Sequence, residues 1–536
     1  MTETLSRRLK QRCGRHHLRA LDTAMRRAAT YPHPAGRIDR IETHISIVYL
    51  AGRFAYKIKK SVDLGFVDFS CESARYLACE DECRLNRRLA PRIYLRVVPI
   101  VRHGRALRTG GAGVAVEHAV MMRRFDGKRI FADLIDAGAL DGQTIERTAV
   151  DIANVHRRAP RTPPRRAYGT SDFCARQLRS VINDLRTVAP RLVSKDLTDW
   201  CEAELMRLNA HFEQRREQEF VRECHGDLHL QNIVLQGSRP LIFDCIEFDA
   251  GLRWIDVVSD VAFFVMDLEA HGRADLAARA LNAWLLATGD YAGLKAWRFY
   301  VAYRALVRTL VESLKGHTDA ARRYVLAASD AARVGSPCLL LCHGYCGSGK
   351  SAASLALANL IGAVRLVSDI ERKRMMPFAS LHSGRLSNEA YDPAAIDRQY
   401  DHLLELTCNV LDAGLTAIVD ATFLRRTHRE RFLQLASVLR VPVLILDFRA
   451  PKTTLFARVA MRAHSRDSLS DADVSVLEHQ FFYAEPLDRD EQLITQTIRT
   501  DVDLDALTQR AFWHPLLARL DRIRYQEGRS LPTEVG

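Results

Sequence analysis

The chain has 536 residues, 47% of them apolar and 27% charged, and carries a formal charge of +13. At roughly 150 residues per domain this length excludes a single small domain, and the ordinary apolar fraction excludes a largely disordered or fibrous chain. The basic balance favours anionic partners, among them nucleotides, phosphorylated metabolites, nucleic acid and a membrane surface, without choosing between them. No apolar run reaches the ~20 residues of a membrane span. The basic N-terminus lacks the apolar core of a secretory signal. A cytoplasmic protein with no membrane partner is therefore expected. The twelve cysteines include no CxxC pair, and their scatter through apolar runs reads as reduced thiols rather than as zinc ligands.

In chain order, residues 41–60 read as paired strands that turn at Ala51-Gly52-Arg53, because a turn glycine stands between β-rich flanks. A helix over about 73–89 stops at Ala90-Pro91, and two more strands are expected over 95–101 and 114–122. Residues 130–330 are mostly helical, broken by a strand-loop-strand segment at 221–249 and by a Pro- and Arg-rich loop at 157–169. A connector follows at 328–337. Beyond it, strands at 338–342, 364–368, 415–420 and 441–447 alternate with helices such as 395–413 and 428–438. Such alternation predicts a parallel sheet with helices on both faces.

The first stretch that carries chemistry is HGDLHLQN, His225–Asn232, followed by an apolar strand containing Asp244. Phosphoryl transfer of the protein-kinase type needs one aspartate to accept the hydroxyl proton, and an asparagine and a second aspartate to hold Mg²⁺ against the phosphates. Asp227, Asn232 and Asp244 fit those roles in that order. Upstream, Ala55 and Lys57 of FAYKIKK share a strand face, as in the A-x-K of kinase strands. Lys57 is the candidate phosphate lysine and Lys59 its rival. Glu82 is the candidate ion-pair partner and Glu80 its rival. No G-x-G-x-x-G lies between the first strands. Only Gly52 is present there, so Thr43, His44 and Ser46 are the candidates to cover the phosphates.

These residues resemble the aminoglycoside phosphotransferase family, the small-molecule branch of the protein-kinase-like fold, over about 40–310. The resemblance includes FDCIEFD and RWIDVVSDVAFFVMDL, where Asp256 and Asp260 would brace the catalytic loop. It implies an α+β protein-kinase-like domain over 1–330, with an N-lobe near 35–125 and a C-lobe near 126–330.

The second stretch, GYCGSGKS, fits G-x-x-x-x-G-K-[ST] in full and sits between an apolar strand and a helix-forming run. Gly344, Gly347, Ser348 and Gly349 let backbone N–H groups turn inward around phosphate oxygens, at the positive end of a helix. Lys350 reaches the β- and γ-phosphates, and the Ser351 hydroxyl is a Mg²⁺ ligand. Asp369 ends the second strand of this part, where open α/β sheets place their ligands, and is the candidate base. Asp420 ends the third strand and could hold Mg²⁺ through water or orient Asp369 and Arg372. Arg458, Arg462 and Arg466 fall at four-residue spacing on one helical face, suited to closing over a nucleotide.

With SDIERKR and VDATF, this part resembles small P-loop kinases: the 5′-hydroxyl kinase domain of polynucleotide kinase, gluconate kinase and zeta-toxin-like kinases. The likeness covers about 338–500 and implies an α/β P-loop NTPase domain over 338–536, with Arg372 orienting the substrate. The whole chain looks like bacterial two-domain proteins that join a phosphotransferase-like domain to an ATP-binding kinase domain. The expectation is an ATP-dependent phosphotransferase with two Mg²⁺–ATP centres acting on a hydroxyl of a small polar molecule. The alternatives are a 5′-hydroxyl nucleic-acid kinase and a non-catalytic ATP-binding regulator. Nucleic acid is not the favoured partner, because no aromatic-rich binding module is visible.

Overall fold

The computed structural model describes residues 18–63, 67–104, 106–163, 165–333, 335–376, 392–463 and 474–530, without the side chains of 462–463 and 524–530. Backbone packing divides the chain into two compact units, residues 1–177 with 212–267 and residues 178–211 with 268–536. No helix among the described residues is long and apolar enough to cross a membrane.

The first unit contains a six-stranded antiparallel sheet. Its strands are β1 (Asp39–Glu42), β2 (Ser46–Ala51), β3 (Phe54–Lys59), β4 (Tyr94–His103), β5 (Ala106–Thr109) and β6 (Ala115–Arg123), in the order β1-β2-β3-β6-β4-β5. The first strand expected from the sequence is in fact two strands. The Thr43 hydroxyl accepts the Ser46 backbone N–H at 3.0 Å and the Thr43 N–H donates to the Ser46 carbonyl at 2.9 Å, which folds β1 back on β2. The turn at Gly52 stands as expected. Its φ is +60°, and a Cβ there would lie 2.5 Å from the Pro34 carbonyl oxygen, a conformation and a space that favour glycine.

Side-chain alternation decides what each sheet face carries. Ile47, Tyr49 and Ala51 of β2, with Tyr56 and Ile58 of β3, pack into one core with Leu21 and Met25. The opposite face presents Ala55 to Cys79 and Cys83 of the helix Glu72–Arg87. Lys57 and Lys59 share that second face by the same period of two, so both ammonium groups are directed at the helix. Four short strands follow: β7 (Val221–Glu223), β8 (Ile233–Gln236), β9 (Arg239–Ile242) and β10 (Trp254–Asp256). β8 and β9 form a hairpin that carries the chemistry-bearing loops at its ends.

The second unit contains a parallel sheet of five strands: β11 (Leu339–His343), β12 (Val364–Val367), β13 (Ala417–Asp420), β14 (Val443–Arg449) and β15 (Thr495–Arg499), ordered β12-β13-β11-β14-β15. All of the four strands expected here are present. β15 was not anticipated because its sequence, TQTIR, is polar and buries only Ile498. Leu340, Cys342, Leu444 and Leu446 meet Ala353 and Leu357 of the helix Lys350–Ile361 and Trp513 and Leu516 near the C-terminus. Strands buried on both faces read as continuous apolar runs, which is why CLLLC was legible. The helices Ala274–Thr288, Trp297–Leu314 and Thr318–Ala332 belong to this unit too. Asn282 joins the first of them to the edge of β12, donating to the Ala363 carbonyl at 2.9 Å and accepting the Arg365 N–H at 2.8 Å.

Candidate functional site

In the first unit, the helix Glu72–Arg87 buries Arg75, Cys79, Glu82 and Asn86 in one stripe. Glu82 is wholly buried on it, whereas Glu80 is exposed. Lys57 Nζ lies 2.9 Å from Glu82 Oε1 and 2.5 Å from Asp244 Oδ1. Lys59 Nζ lies 2.5 Å from Glu82 Oε2 and also contacts Glu247. Five charged groups therefore meet: Lys57, Lys59, Glu82, Asp244 and Glu247. Burial alone would push the Glu82 carboxyl up, but the two ammonium groups outweigh it and hold it at about 2. Burial would push the Lys57 ammonium down, and the Asp244 and Glu82 carboxylates beside it reverse that and raise it. Asp244 has a φ of +66°, a conformation uncommon outside glycine and typical of functional turns.

The loop around Asp227 is held from several sides. The Asp260 carboxylate accepts the N–H groups of His225 and Gly226 at 3.0 and 2.9 Å. It also contacts His156 Nε2 at 3.0 Å. The Leu230 N–H donates to Asp267 at 2.8 Å. Asp256 does something else: it takes both ends of the buried Arg215 guanidinium at 2.7 and 2.9 Å, so it braces the helix Lys195–Glu217 rather than the loop around Asp227. Asn232 Nδ2 donates to the Asp227 carbonyl at 2.9 Å and to its Oδ2 at 3.1 Å. That leaves Asn232 Oδ1 as the atom it can offer a cation. The His229 ring accepts the Gln231 N–H on Nδ1 at 3.3 Å, so the proton sits on Nε2, which donates to Asp227 Oδ2 at 3.1 Å. Burial pushes the His225 ring down; that neutral ring donates from Nε2 to the Phe243 carbonyl at 2.9 Å. The Phe243 N–H in turn donates to the Asn232 carbonyl at 2.9 Å, so the segment with Asp244 is tied to the loop with Asp227 and Asn232. Thr43 and His44 are exposed, but Ser46 is fully buried.

In the second unit, three glycines shape the loop after β11. Gly344, Gly347 and Gly349 have φ of +139°, +80° and +81°. Added Cβ atoms at the first two would lie 2.7 Å from the carbonyl oxygens of Phe448 and Leu455. Lys350 opens the helix Lys350–Ile361 and donates to the Tyr345 carbonyl across the loop at 2.8 Å. Ser348 Oγ is buried with no hydrogen-bond partner among the described residues, an orphaned group that fits an anion cradle. Cys346 N–H donates to Gln480 Oε1 at 2.8 Å, and the Thr500 hydroxyl donates to the Ser348 carbonyl at 2.5 Å. Substituting Gly347 by Ala adds a Cβ at positive φ against backbone. It is expected to weaken nucleotide binding by at least about tenfold and to cost roughly 1–3 kcal/mol of stability; titration with a fluorescent ATP analogue alongside thermal melts checks both.

A cavity of about 530 Å³ opens beside this loop, lined by Lys350, Ser351, Asp369, Arg372, Asp420 and Tyr400 among others. Asp369 is ion-paired with Arg372 at 2.6 Å. The Asp420 carboxylate receives Arg365 at 2.5 Å, and Arg365 also donates to the Ser351 carbonyl and to Ser354. Arg458 donates to the carbonyls of Gly347 and Thr500 at 3.4 and 2.8 Å, supporting the loop from the backbone side. The Arg462 side chain and Arg466 lie outside the described residues.

Sequence reasoning missed Glu247, His229 and Arg365. Glu247 meets a lysine 188 positions away, a separation without sequence signal. His229 stood inside the quoted motif, but its tautomer and its bond to Asp227 depend on the fold. Arg365 had one legible sign, a lone cation in the buried strand VRLV.

Comparison with known proteins matches the phosphotransferase enzyme family at residues 68–297 and an AAA domain at residues 339–487. The uncharacterized protein Rv2004c of Mycobacterium tuberculosis is 32% identical over 398 residues, covering 72% of this chain and 78% of that one. A gluconokinase from Sinorhizobium meliloti aligns with 36% of this chain and 98% of its own at 18% identity and a TM-score of 0.26. A choline/ethanolamine kinase family protein from Mesorhizobium loti aligns with 59% of this chain and 100% of its own at 13% identity and a TM-score of 0.35. At those scores the two structures add no weight; the family matches and the mycobacterial relative carry the assignment. The chain belongs to the family of Rv2004c, with a kinase-like phosphotransferase domain followed by a P-loop kinase domain.

Proposed function

We propose that the chain is an ATP-dependent phosphotransferase with two Mg²⁺–ATP centres, each moving the γ-phosphoryl group to a hydroxyl of a small polar acceptor. The observation that carries this reading is the joint placement of Lys57 on Glu82 and Asp244, with Asn232 and Asp227 on the adjoining loop. A module that only bound nucleotide would have no use for a half-exposed carboxylate held in place beside a cation-binding pair. Asn232 Oδ1 and the Asp244 carboxylate form an oxygen donor set suited to a hard cation such as Mg²⁺. In the second unit Ser351 would hold the cation, and Gly344–Lys350 the phosphates. Bound Mg²⁺–ATP supplies the phosphoryl group and neutralises its charge.

The chain's own residues do the rest. The Asp227 carboxylate, 35% exposed, accepts the proton of the acceptor hydroxyl while His229 and Asn232 hold its orientation. Lys57 moves between Asp244 and a phosphate oxygen, with Glu82 keeping its ammonium charged. Asp369 accepts the acceptor proton at the second centre, and Arg372 positions that acceptor. A cytoplasmic location and a small-molecule acceptor complete the reading. The Arg-rich segments RRFDGKR and HRRAPRTPPRR favour an anionic acceptor over a cationic one.

The test is transfer of label from γ-labelled ATP to fractionated bacterial metabolites by the wild type, Asp227→Asn and Lys350→Ala. Two labelled products, each lost in one variant, support two centres. A single product lost only in Lys350→Ala confines transfer to the second unit. A milder expectation concerns His229. His229→Ala frees the Asp227 carboxylate to rotate, so transfer at the first centre falls by roughly 10-fold with KM for ATP unchanged, whereas His229→Asn retains a donor and about half the loss is recovered; initial-rate kinetics on the two variants decide it.

A further inference from the structure

A second cavity lies in the first unit, apart from the groups just assigned, and no step proposed above uses it. It has a volume of about 1560 Å³. Four segments build it: residues 88–95 after the helix that carries Glu82, Arg123 at the end of β6, one face of the helix Gly142–Arg158, and the turn and second strand of the β8–β9 hairpin. Arg147, Asp151, Asn154 and Arg158 fall on the helical face by the 3.6-residue period. Arg147 donates to the Ser238 carbonyl at 2.7 Å, which ties helix to hairpin.

The chemistry of the walls is uneven. Arg92, Arg123, Arg158 and Arg239 are exposed and, among the described residues, form no side-chain hydrogen bond or ion pair. Asp151 is the one carboxylate among the lining residues. Arg88, at the rim of the groove, is matched to an acid instead, converging with Arg84 and Arg253 on Glu223. The floor between the arginines is aliphatic, with Leu89, Pro91, Leu95, Val155 and Leu241. Among the described residues, no aromatic side chain lines the groove.

We propose that this groove binds an acidic peptide segment of a partner protein, its carboxylates on the arginines and its aliphatic side chains on the floor. Arginine forks match carboxylates bidentately, and the excess positive charge of the walls, six arginines against Asp151, favours an anionic occupant. The volume exceeds the ~300–1,000 Å³ of small-molecule sites, which favours a peptide over a metabolite. Single-stranded nucleic acid stacks its bases on aromatic side chains, and here those are missing, so a peptide is favoured over nucleic acid as well.

The test uses the full chain and three fluorescent probes: a peptide of alternating Glu and Leu, its Gln-Leu counterpart, and oligo-dT. The Glu-Leu peptide is expected to bind at least about tenfold more tightly than the Gln-Leu peptide at low salt and to weaken as salt rises. Arg92→Glu with Arg239→Glu lowers its affinity at least about tenfold, and Arg92→Gln with Arg239→Gln gives an intermediate loss in a protein of unchanged thermal midpoint. Arg322→Glu, exposed and outside the groove, leaves the affinity unchanged. On binding, amide exchange slows at residues 89–92 and 236–239. Equal binding of the two peptides overturns the proposal, as does indifference to the Arg92 and Arg239 variants. Tighter binding of oligo-dT that is lost in those variants overturns it in favour of nucleic acid.

Discussion

Asp227→Asn lowers phosphoryl transfer at the first centre by about 10³-fold while leaving the fold and ATP binding in place. A positioned general base contributes roughly 10²–10⁴ in rate, and the asparagine amide cannot take the proton. The substitution is nearly isosteric. The side chain is 35% exposed, and the asparagine Oδ1 still accepts from His229 Nε2, so unfolding free energy changes by no more than about 0.5–1 kcal/mol. The loss therefore falls on kcat, with KM for ATP within about twofold. The measurement is steady-state kinetics on the purified acceptor together with isothermal titration of ATP. Full activity in Asp227→Asn, with the first centre shown to be the one turning over, removes Asp227 as base.

The second large effect is on stability. Glu82→Ala takes away the carboxylate that two buried ammonium groups share, at 2.9 Å from Lys57 and 2.5 Å from Lys59. Removing one partner of a buried ion pair costs about 3–5 kcal/mol, a large share of the ~5–15 kcal/mol that holds a typical domain. Urea unfolding followed by tryptophan fluorescence checks it, and a loss below about 1 kcal/mol contradicts the shared-charge reading. The pH dependence follows with a definite sign. The folded pKa of Glu82, about 2, lies below its ordinary value of 4.5. Its contribution is therefore fully present above pH 4.5 and is lost as pH falls through about 2. The stability gap between wild type and Glu82→Gln narrows across that window and is constant from pH 5 to 7 in this account.

How much could be read beforehand depended on how local each feature is. GYCGSGKS is contiguous, and a strand before it with a helix after it defines its geometry almost completely. HGDLHLQN and Asp244 flank the two ends of one hairpin, β8–β9, so their spacing also survived translation into space. The choice between Lys57 and Lys59 did not. A strand's period of two puts both on one face, and only the helix bearing Glu82 shows that both lysines meet the same carboxylate. Glu80 and Glu82 are two apart on a helix and so point about 160° from one another, which makes the choice between them a question of which face is buried. β1 and β2 looked like a single strand because their shared turn is made by a threonine hydroxyl rather than by glycine. Asp256 and Asp260 looked alike, as two acids four apart, yet one braces Arg215 and the other the backbone of the Asp227 loop.

Apolar periodicity placed the alternating strands and helices of the second part, and two contiguous motifs marked the candidate residues of both parts and carried the family resemblance that implied the fold of the first, because those signals act over a turn or a hairpin. The tertiary structure alone decided which long-range charges meet: Lys59 with Glu247, Arg365 with Asp420, and the six arginines that share one groove. It also decided that the helices of 274–332 pack with the parallel sheet. These pairings join residues up to 188 positions apart. They are set by how sheet, helix and hairpin pack on their apolar faces, and apolar patterning in sequence says which face is buried but not which element covers it.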